Sequence, residues 1–222
     1  MEIVNGERLV LGTCYYPEHW DESLWRDDLK RMLENGIEVI RIAEFAWSKI
    51  ERYEGVFNYD FFDRFLDVAA DMGMKVIFCT PTATPPAWLT EKYPEVLNAN
   101  MDGVLYRHGG RRHYNYNSPK YQELTRIIVE KSASHYAKHP AIIGWQIDNE
   151  PGHYGVMDYS ENAQAAFRRW LKEKYGSIEA LNKTWGCAFW SETYQDFGQV
   201  RLPNAQEVPE KPNPHAVLDM KC

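Results

Sequence analysis

Four short apolar runs, interleaved with amphipathic stretches, set the tightest limit on what this chain can become. They are LVLGTCYY (9–16), IEVIRIAEF (37–45), KVIFCT (75–80) and AIIGWQID (141–148), rich in β-branched and aromatic residues. Runs of that length and make-up read as strands. Between the first two, residues 21–35 place Leu24, Trp25, Leu29, Met32 and Leu33 on one helical face, with Asp21 as N-cap and Gly36 just past the end. Residues 59–72 repeat the helical period at Phe62, Phe65, Leu66, Ala69 and Met72 and stop at Gly73. A helix is predicted over 119–138, with Pro119 at its first position after Ser118, and two more over 161–176 and 177–185. The segment 81–118 holds Pro81, Pro85, Pro86, Pro94, Gly109 and Gly110, so it reads as mostly loop with a short helix near 86–91.

Strands that alternate with helices imply a parallel sheet with right-handed crossovers. Two α/β architectures compete. A doubly wound sheet would normally show a glycine-rich phosphate turn after its first strand, and here that turn is CYYPEHW (14–20), bulky and aromatic. A (β/α)8 TIM barrel places its chemistry at the C-terminal ends of the strands. Those ends, 15–20, 44–47, 80–88 and 148–150, are all polar or aromatic, and the barrel is the expected fold. Eight strands are needed and four are found. After Gly186 the chain carries Pro203, Pro209, Pro212 and Pro214, shows no convincing fifth strand, and reaches Cys222 where a helix is starting. Residues 1–222 are therefore expected to form the first four βα units of one barrel catalytic domain, stopped before its second half.

Composition narrows the function. With 44% hydrophobic residues the chain can bury a sizeable core, and its net charge of −7 argues against a nucleic-acid partner. No apolar run approaches the roughly 20 residues of a membrane span. The opening MEIVNGERLVLG has early acids and no long apolar stretch, unlike a secretory signal. Four cysteines, Cys14, Cys79, Cys187 and Cys222, are scattered without a CxxC pair, which fits a reducing cytoplasm better than a disulfide framework or a zinc site. Eight tryptophans suit a carbohydrate site, where flat sugar faces stack on indoles.

The strongest local signal is GWQIDNEP (144–151), a strand that ends in Asn149-Glu150. Glycoside cleavage needs a carboxylic acid beside the glycosidic oxygen and, for retention, a second carboxylate about 5–5.5 Å away. An adjacent Asn can hydrogen-bond the sugar 2-hydroxyl. With GTCYYPEHW (12–20), RIAEFAWSKIE (41–51), PTATPPAWL (81–89), RRHYNYNSP (111–119) and GWQIDNE (144–150), the chain resembles the N-terminal part of a family 42 glycoside hydrolase, a β-galactosidase of the large retaining-glycosidase barrel clan. The resemblance implies hydrolysis of terminal β-D-galactosides with retention. It implies Glu150 as general acid/base, Asn149 and Arg111 as substrate-binding residues, and no metal or organic cofactor. It also implies a homo-oligomer as the full-length state, with a trimer as the form the family suggests. Two departures accompany it. Some members hold zinc with four cysteines, and here Asn115 stands at the first of those positions with no cysteine between Glu150 and Gly186. The family's nucleophile, a Glu on a late strand, lies beyond Cys222. A same-clan glycosidase of other sugar preference and a non-catalytic carbohydrate-binding fragment are the alternatives.

Other residues carry open readings. Arg41 and Glu44 are scaffold or substrate contacts, and Trp47 and Trp88 are packing or sugar-stacking groups. Glu18 and His19 line the pocket or orient their neighbours. His135 and His139 are expected on a solvated helix face, and His113 behind the site in the long loop with His108, Tyr114 and Tyr116. Cys14 and Cys79 are expected as small buried groups. Ile40, Ile42, Val76, Phe78, Ile143 and Trp145 are expected to supply the barrel's inward layer from whichever face points in.

Overall fold

The computed structural model describes residues 3–4, 7–151, 157–208 and 211–221, so Pro209 and Cys222 of the tail lie outside it. The chain divides into two compact units, Met1–Tyr93 with Glu123–His153, and Pro94–Gln122 with Tyr154–Cys222.

The first unit is built on four strands, β1 (Leu11–Cys14), β2 (Ile37–Ile42), β3 (Lys75–Cys79) and β4 (Ile142–Gln146). They form one sheet in the order β1-β2-β3-β4, and every neighbouring pair is parallel. Strictly sequential order is how a barrel wall winds, whereas a doubly wound sheet reverses direction at its switch point. The connections carry α1 (Trp25–Glu34), α2 (Asp60–Asp71) and α3 (Pro119–Tyr136). The first turn of the helix predicted over 21–35 is a separate 3-10 turn, Glu22–Leu24, capped by Asp21, whose Oδ1 accepts from Ser23 N at 2.9 Å. Leu24 is 44% exposed and leaves the face it was expected to share. Gly36 and Gly73 follow α1 and α2 with φ of 80° and 77°, values that cost a residue without Cβ nothing. Ser118 caps α3 by accepting from Tyr121 N at 3.3 Å, and Pro119 sits where a missing N–H is harmless.

The two faces of the sheet differ in chemistry. Ile40, Ile42, Val76 and Phe78 are wholly buried. Phe78 meets Phe62 of α2 at 5.6 Å, Tyr136 of α3 at 4.7 Å and Trp145 of β4 at 5.4 Å between ring centroids. This set, expected as the inward layer, instead fills the space between sheet and helices. Each such side chain contributes roughly 1.5–3 kcal/mol by leaving water. Trp25 extends the layer, edge-on to Phe61 and Phe65 at 5.1 Å each. Because side chains alternate along a strand, the opposite face carries Cys14, Arg41, Cys79 and Gln146, in the register Cys14↔Arg41 and Cys79↔Gln146. Cys79 is buried as expected, but Cys14 is exposed.

One open reading is decided in this unit, and two histidines gain partners. Trp47 is wholly buried and donates Nε1 to Glu51 Oε2 at 2.7 Å, so it is a core residue and not a sugar platform. His135 is exposed, as expected, and His139 is half-buried just past the end of α3, each facing a carboxylate of α2. His135 Nε2 is 2.8 Å from Asp63 Oδ1 with its ring stacked on Tyr59 at 4.3 Å, and His139 Nε2 is 3.6 Å from Asp67.

The second unit packs α4 (Glu161–Tyr175), α5 (Ile178–Trp185) and α6 (Pro214–Met220) around Phe167, Leu171, Leu181, Trp185 and Val200. Ser160 and Ser177 cap α4 and α5, accepting from Ala163 N and Ala180 N. The described residues after Gly186 contain no strand, and α6 is the helix that the tail was read as starting. The long loop gains two bridges that its composition did not announce, Leu97↔Tyr114 and Ala99↔Leu105.

Candidate active site

At the C-terminal end of β4 the backbone turns through two left-handed residues, Asp148 at φ 54° and Glu150 at φ 47°, with Asn149 between them. Such values cost a non-glycine residue about 1–3 kcal/mol and persist where the surroundings hold them. Here side chains of the neighbouring strand end do the holding. Thr80 Oγ1 accepts from Asp148 N at 2.7 Å, Asp148 Oδ1 accepts from Asn149 N at 2.6 Å, and Thr80 N donates to Gln146 O at 2.9 Å. The result buries Asn149 to 5% exposure and leaves Glu150 exposed.

Beneath this turn lies a charged network on the side of the sheet away from the helices. Arg41 donates NH1 to Gln146 Oε1, and NH2 to Glu44 Oε1 and Cys14 Sγ, each at 2.9 Å. Glu44 is fully buried and also accepts from the Tyr16 hydroxyl at 2.8 Å. Burial, followed by the Glu44 carboxylate, pushes the Tyr16 hydroxyl up to about 12, so it remains a donor at neutral pH. The Arg41–Glu44 pair thereby ties together the ends of β1, β2 and β4. Burial also drives the Cys79 thiol far above its ordinary value, which removes it as a nucleophile.

The loop after β1 adds an aromatic wall. Tyr16 stacks on His19 at 5.1 Å and on Phe45 at 6.0 Å. Glu18 sits among them, its carboxyl raised by burial, with Oε2 lacking a hydrogen-bond partner among the described residues. Trp88 is half-buried and donates Nε1 to Glu51 O at 3.0 Å.

Arg111 belongs to the second unit, and Asn149 and Glu150 to the first. Arg111 is exposed, and Arg112 beside it holds φ 61°. His113 is buried, with Nδ1 3.1 Å from Gly110 O, and burial lowers its pKa so that the ring stays neutral. Tyr114 stacks on Tyr121 at 4.8 Å and meets Tyr116 edge-on at 5.2 Å. One aromatic pair escaped the sequence reading. Phe189 and Trp190 stack at 4.6 Å yet are 65% and 68% exposed, with Trp190 and Ser191 at φ 52° and 62°. An exposed indole on strained backbone was detectable only as a Trp in a tail that lacked periodicity.

The fold and this strand-end turn define a βα-barrel wall that carries a carboxylate and an amide at its C-terminal rim, where such barrels do their chemistry. The chain belongs to glycoside hydrolase family 42, described as beta-galactosidase, which it matches over residues 14–221. It is 47% identical over 211 residues to beta-galactosidase BgaA of Thermus sp, covering 95% of this chain and 32% of that protein. It is 42% identical over 204 residues to beta-galactosidase Bga of Halorubrum lacusprofundi, covering 91% and 29%. Among solved structures, the beta-galactosidase of the psychrophilic Marinomonas ef1 superposes with a TM-score of 0.92 at 44% identity, covering 96% of this chain and 32% of that one. The chain thus spans about a third of the length of the relatives it matches. The cysteine that some members use for zinc is replaced here by Asn115. Its Nδ2 donates to Ser160 Oγ at 2.6 Å, and Ser160 N donates to Asp158 Oδ1 at 2.8 Å. That amide–hydroxyl–carboxylate chain offers no thiolate, and the residues do not fit a cysteine-held zinc.

Proposed function

We propose that the full-length protein is a retaining β-galactosidase that releases terminal non-reducing β-D-galactose, and that this chain carries its acid/base half. The observation that carries the reading is the Asn149-Glu150 pair at the end of the fourth parallel strand, in a chain of the beta-galactosidase family. Glu150 protonates the aglycone oxygen while a second carboxylate attacks the anomeric carbon. Once the sugar is covalently held, Glu150 takes a proton from water, whose oxygen attacks the anomeric carbon and displaces the second carboxylate. The second carboxylate comes from the part of the barrel outside these 222 residues. Asn149 binds the 2-hydroxyl, and Arg111 supplies fixed guanidinium donors to other hydroxyls. Both compact units then belong to one catalytic domain, and no cofactor takes part. Cysteine use supports a cytoplasmic enzyme, and family membership a homo-oligomer.

The test is Glu150→Ala in the full-length protein. Hydrolysis of galactosides with poor leaving groups should fall roughly 10²–10⁴-fold. Activated aryl galactosides should suffer far less at the glycosylation step, because their leaving groups need no proton. Azide, which needs no general base, should restore part of the turnover. Equal loss on both substrates without azide rescue would rule out the acid/base role.

A further inference from the structure

The amide of Asn149 has two ends of nearly equal size and opposite hydrogen-bonding sense, so something must decide which end faces the sugar. A chain of contacts that starts at Arg41 makes the decision. A guanidinium has donors only. Arg41 NH1 meets the Gln146 side chain at 2.9 Å, so Gln146 must present its oxygen there. Its Nε2 is then committed to the other side, where it donates to Asp148 O at 2.9 Å and to Asn149 Oδ1 at 3.2 Å. Asn149 in turn has its oxygen toward Gln146 and its Nδ2 turned away. Arg41 is itself held by Glu44, which is fully buried and whose Oε1 accepts from both Arg41 NH2 and the Tyr16 hydroxyl. The polarity of a charged, rigid group is thereby passed through one glutamine to the residue beside Glu150.

We propose that Gln146 is a positioning residue that sets the donor face of Asn149, taking its own orientation from the Arg41–Glu44 pair. This deepens the galactosidase reading and rests on it for the sugar contact. The role demands an amide at this position. A carboxylate would accept from Arg41 equally well but could not donate to Asn149. An apolar chain would break both links. Gln146 also lies on the last residue of β4, three positions before Asn149, so it can act on that side chain without touching the reacting atoms.

The experiment compares Gln146→Glu, which keeps size and the Arg41 contact, with Gln146→Met, which keeps volume and removes both hydrogen bonds, in the full-length protein. Thermal melts confirm folding of each. Misplacing a group at the reacting centre costs on the order of 10²-fold, and a loss of that order in kcat/KM on an aryl β-D-galactoside is expected for Gln146→Glu. The loss should nearly vanish on the matching 2-deoxygalactoside. It should also add nothing to Asn149→Ala in the double variant, since both changes remove one interaction. Equal loss on both substrates, or losses that multiply in the double variant, would overturn the proposal. A readout independent of turnover is the side-chain ¹⁵N–¹H₂ signal of Asn149, which should move in both Gln146 variants. An unmoved signal overturns the positioning role. A moved signal in a protein whose Asn149→Ala variant keeps full activity upholds the positioning and overturns only the sugar contact in the galactosidase reading.

Discussion

Arg41 donates to Cys14, Glu44 and Gln146, and Glu44 accepts from both Arg41 and Tyr16. Taking one member away leaves a buried carboxylate under-satisfied, and hydrogen bonds to charged groups are worth about 1.5–3 kcal/mol. Tyr16→Phe keeps the ring that stacks on His19 and Phe45 and deletes only the hydroxyl. Stability should drop by about 1.5–3 kcal/mol, seen as a lower urea midpoint with an unchanged slope. An unchanged midpoint would show that the Tyr16–Glu44 bond contributes nothing net. The sequence displayed Arg41 and Glu44 but left their role open between scaffold and substrate contact. Their deciding partner, Gln146, lies 105 positions from Arg41, and no local pattern links residues that far apart.

Among the elements, the helices of the second unit meet at one carboxylate. Asp219 of α6 accepts from Lys174 Nζ at 2.6 Å and Tyr175 OH at 2.6 Å, both of α4, and from Trp185 Nε1 of α5 at 3.0 Å. Burial acts to raise its pKa, and the three donors outweigh burial, so the carboxyl lies below its ordinary 3.8. A folded value below the unfolded one means a contribution that is complete above about 3.8. It is lost as pH falls from there through the folded value. Asp219→Asn should therefore cost about 1.5–3 kcal/mol at neutral pH, and the gap to the parent should narrow in acid. Thermal unfolding followed by helical ellipticity across a pH series measures it, and a gap that stays constant into acid would contradict the linkage. α4 and α5 were legible as helical runs over 161–176 and 177–185, and in the structure Ser160, Ser177, Gly176 and Gly186 mark their ends. The knot was not, because Asp219 is one acid among many until α6 is docked.

At the scale of the whole molecule, the four-stranded sheet has two edges, β1 and β4. Leu11 on β1 is 56% exposed, Ile143 on β4 is 57% exposed, and Val10 and Ile147 beside them are 54% and 75% exposed. Unpaired edges flanked by apolar side chains are templates for another strand. The 222-residue chain purified alone should accordingly self-associate, and it should be silent on galactosides for want of a second carboxylate. Sedimentation velocity with a parallel activity assay checks both. A soluble monomer would contradict the first expectation, and hydrolysis abolished by Glu150→Ala would contradict the second. The sequence by itself determined the alternation of strands and helices, their caps, the barrel-like strand ends and the Asn-Glu rim, because each is written in hydrogen-bonding and periodic signals within a few residues. The tertiary structure alone decided that Ile40, Ile42, Val76 and Phe78 serve the helix layer while Cys14, Arg41 and Gln146 share the other face. It also decided that Trp47 is core and that His135 pairs with Asp63. A period of two says that a strand has two faces and not which one the helices will cover. That choice, and every partner more than a few turns away, is made by the register of parallel strands and the docking of helices upon them.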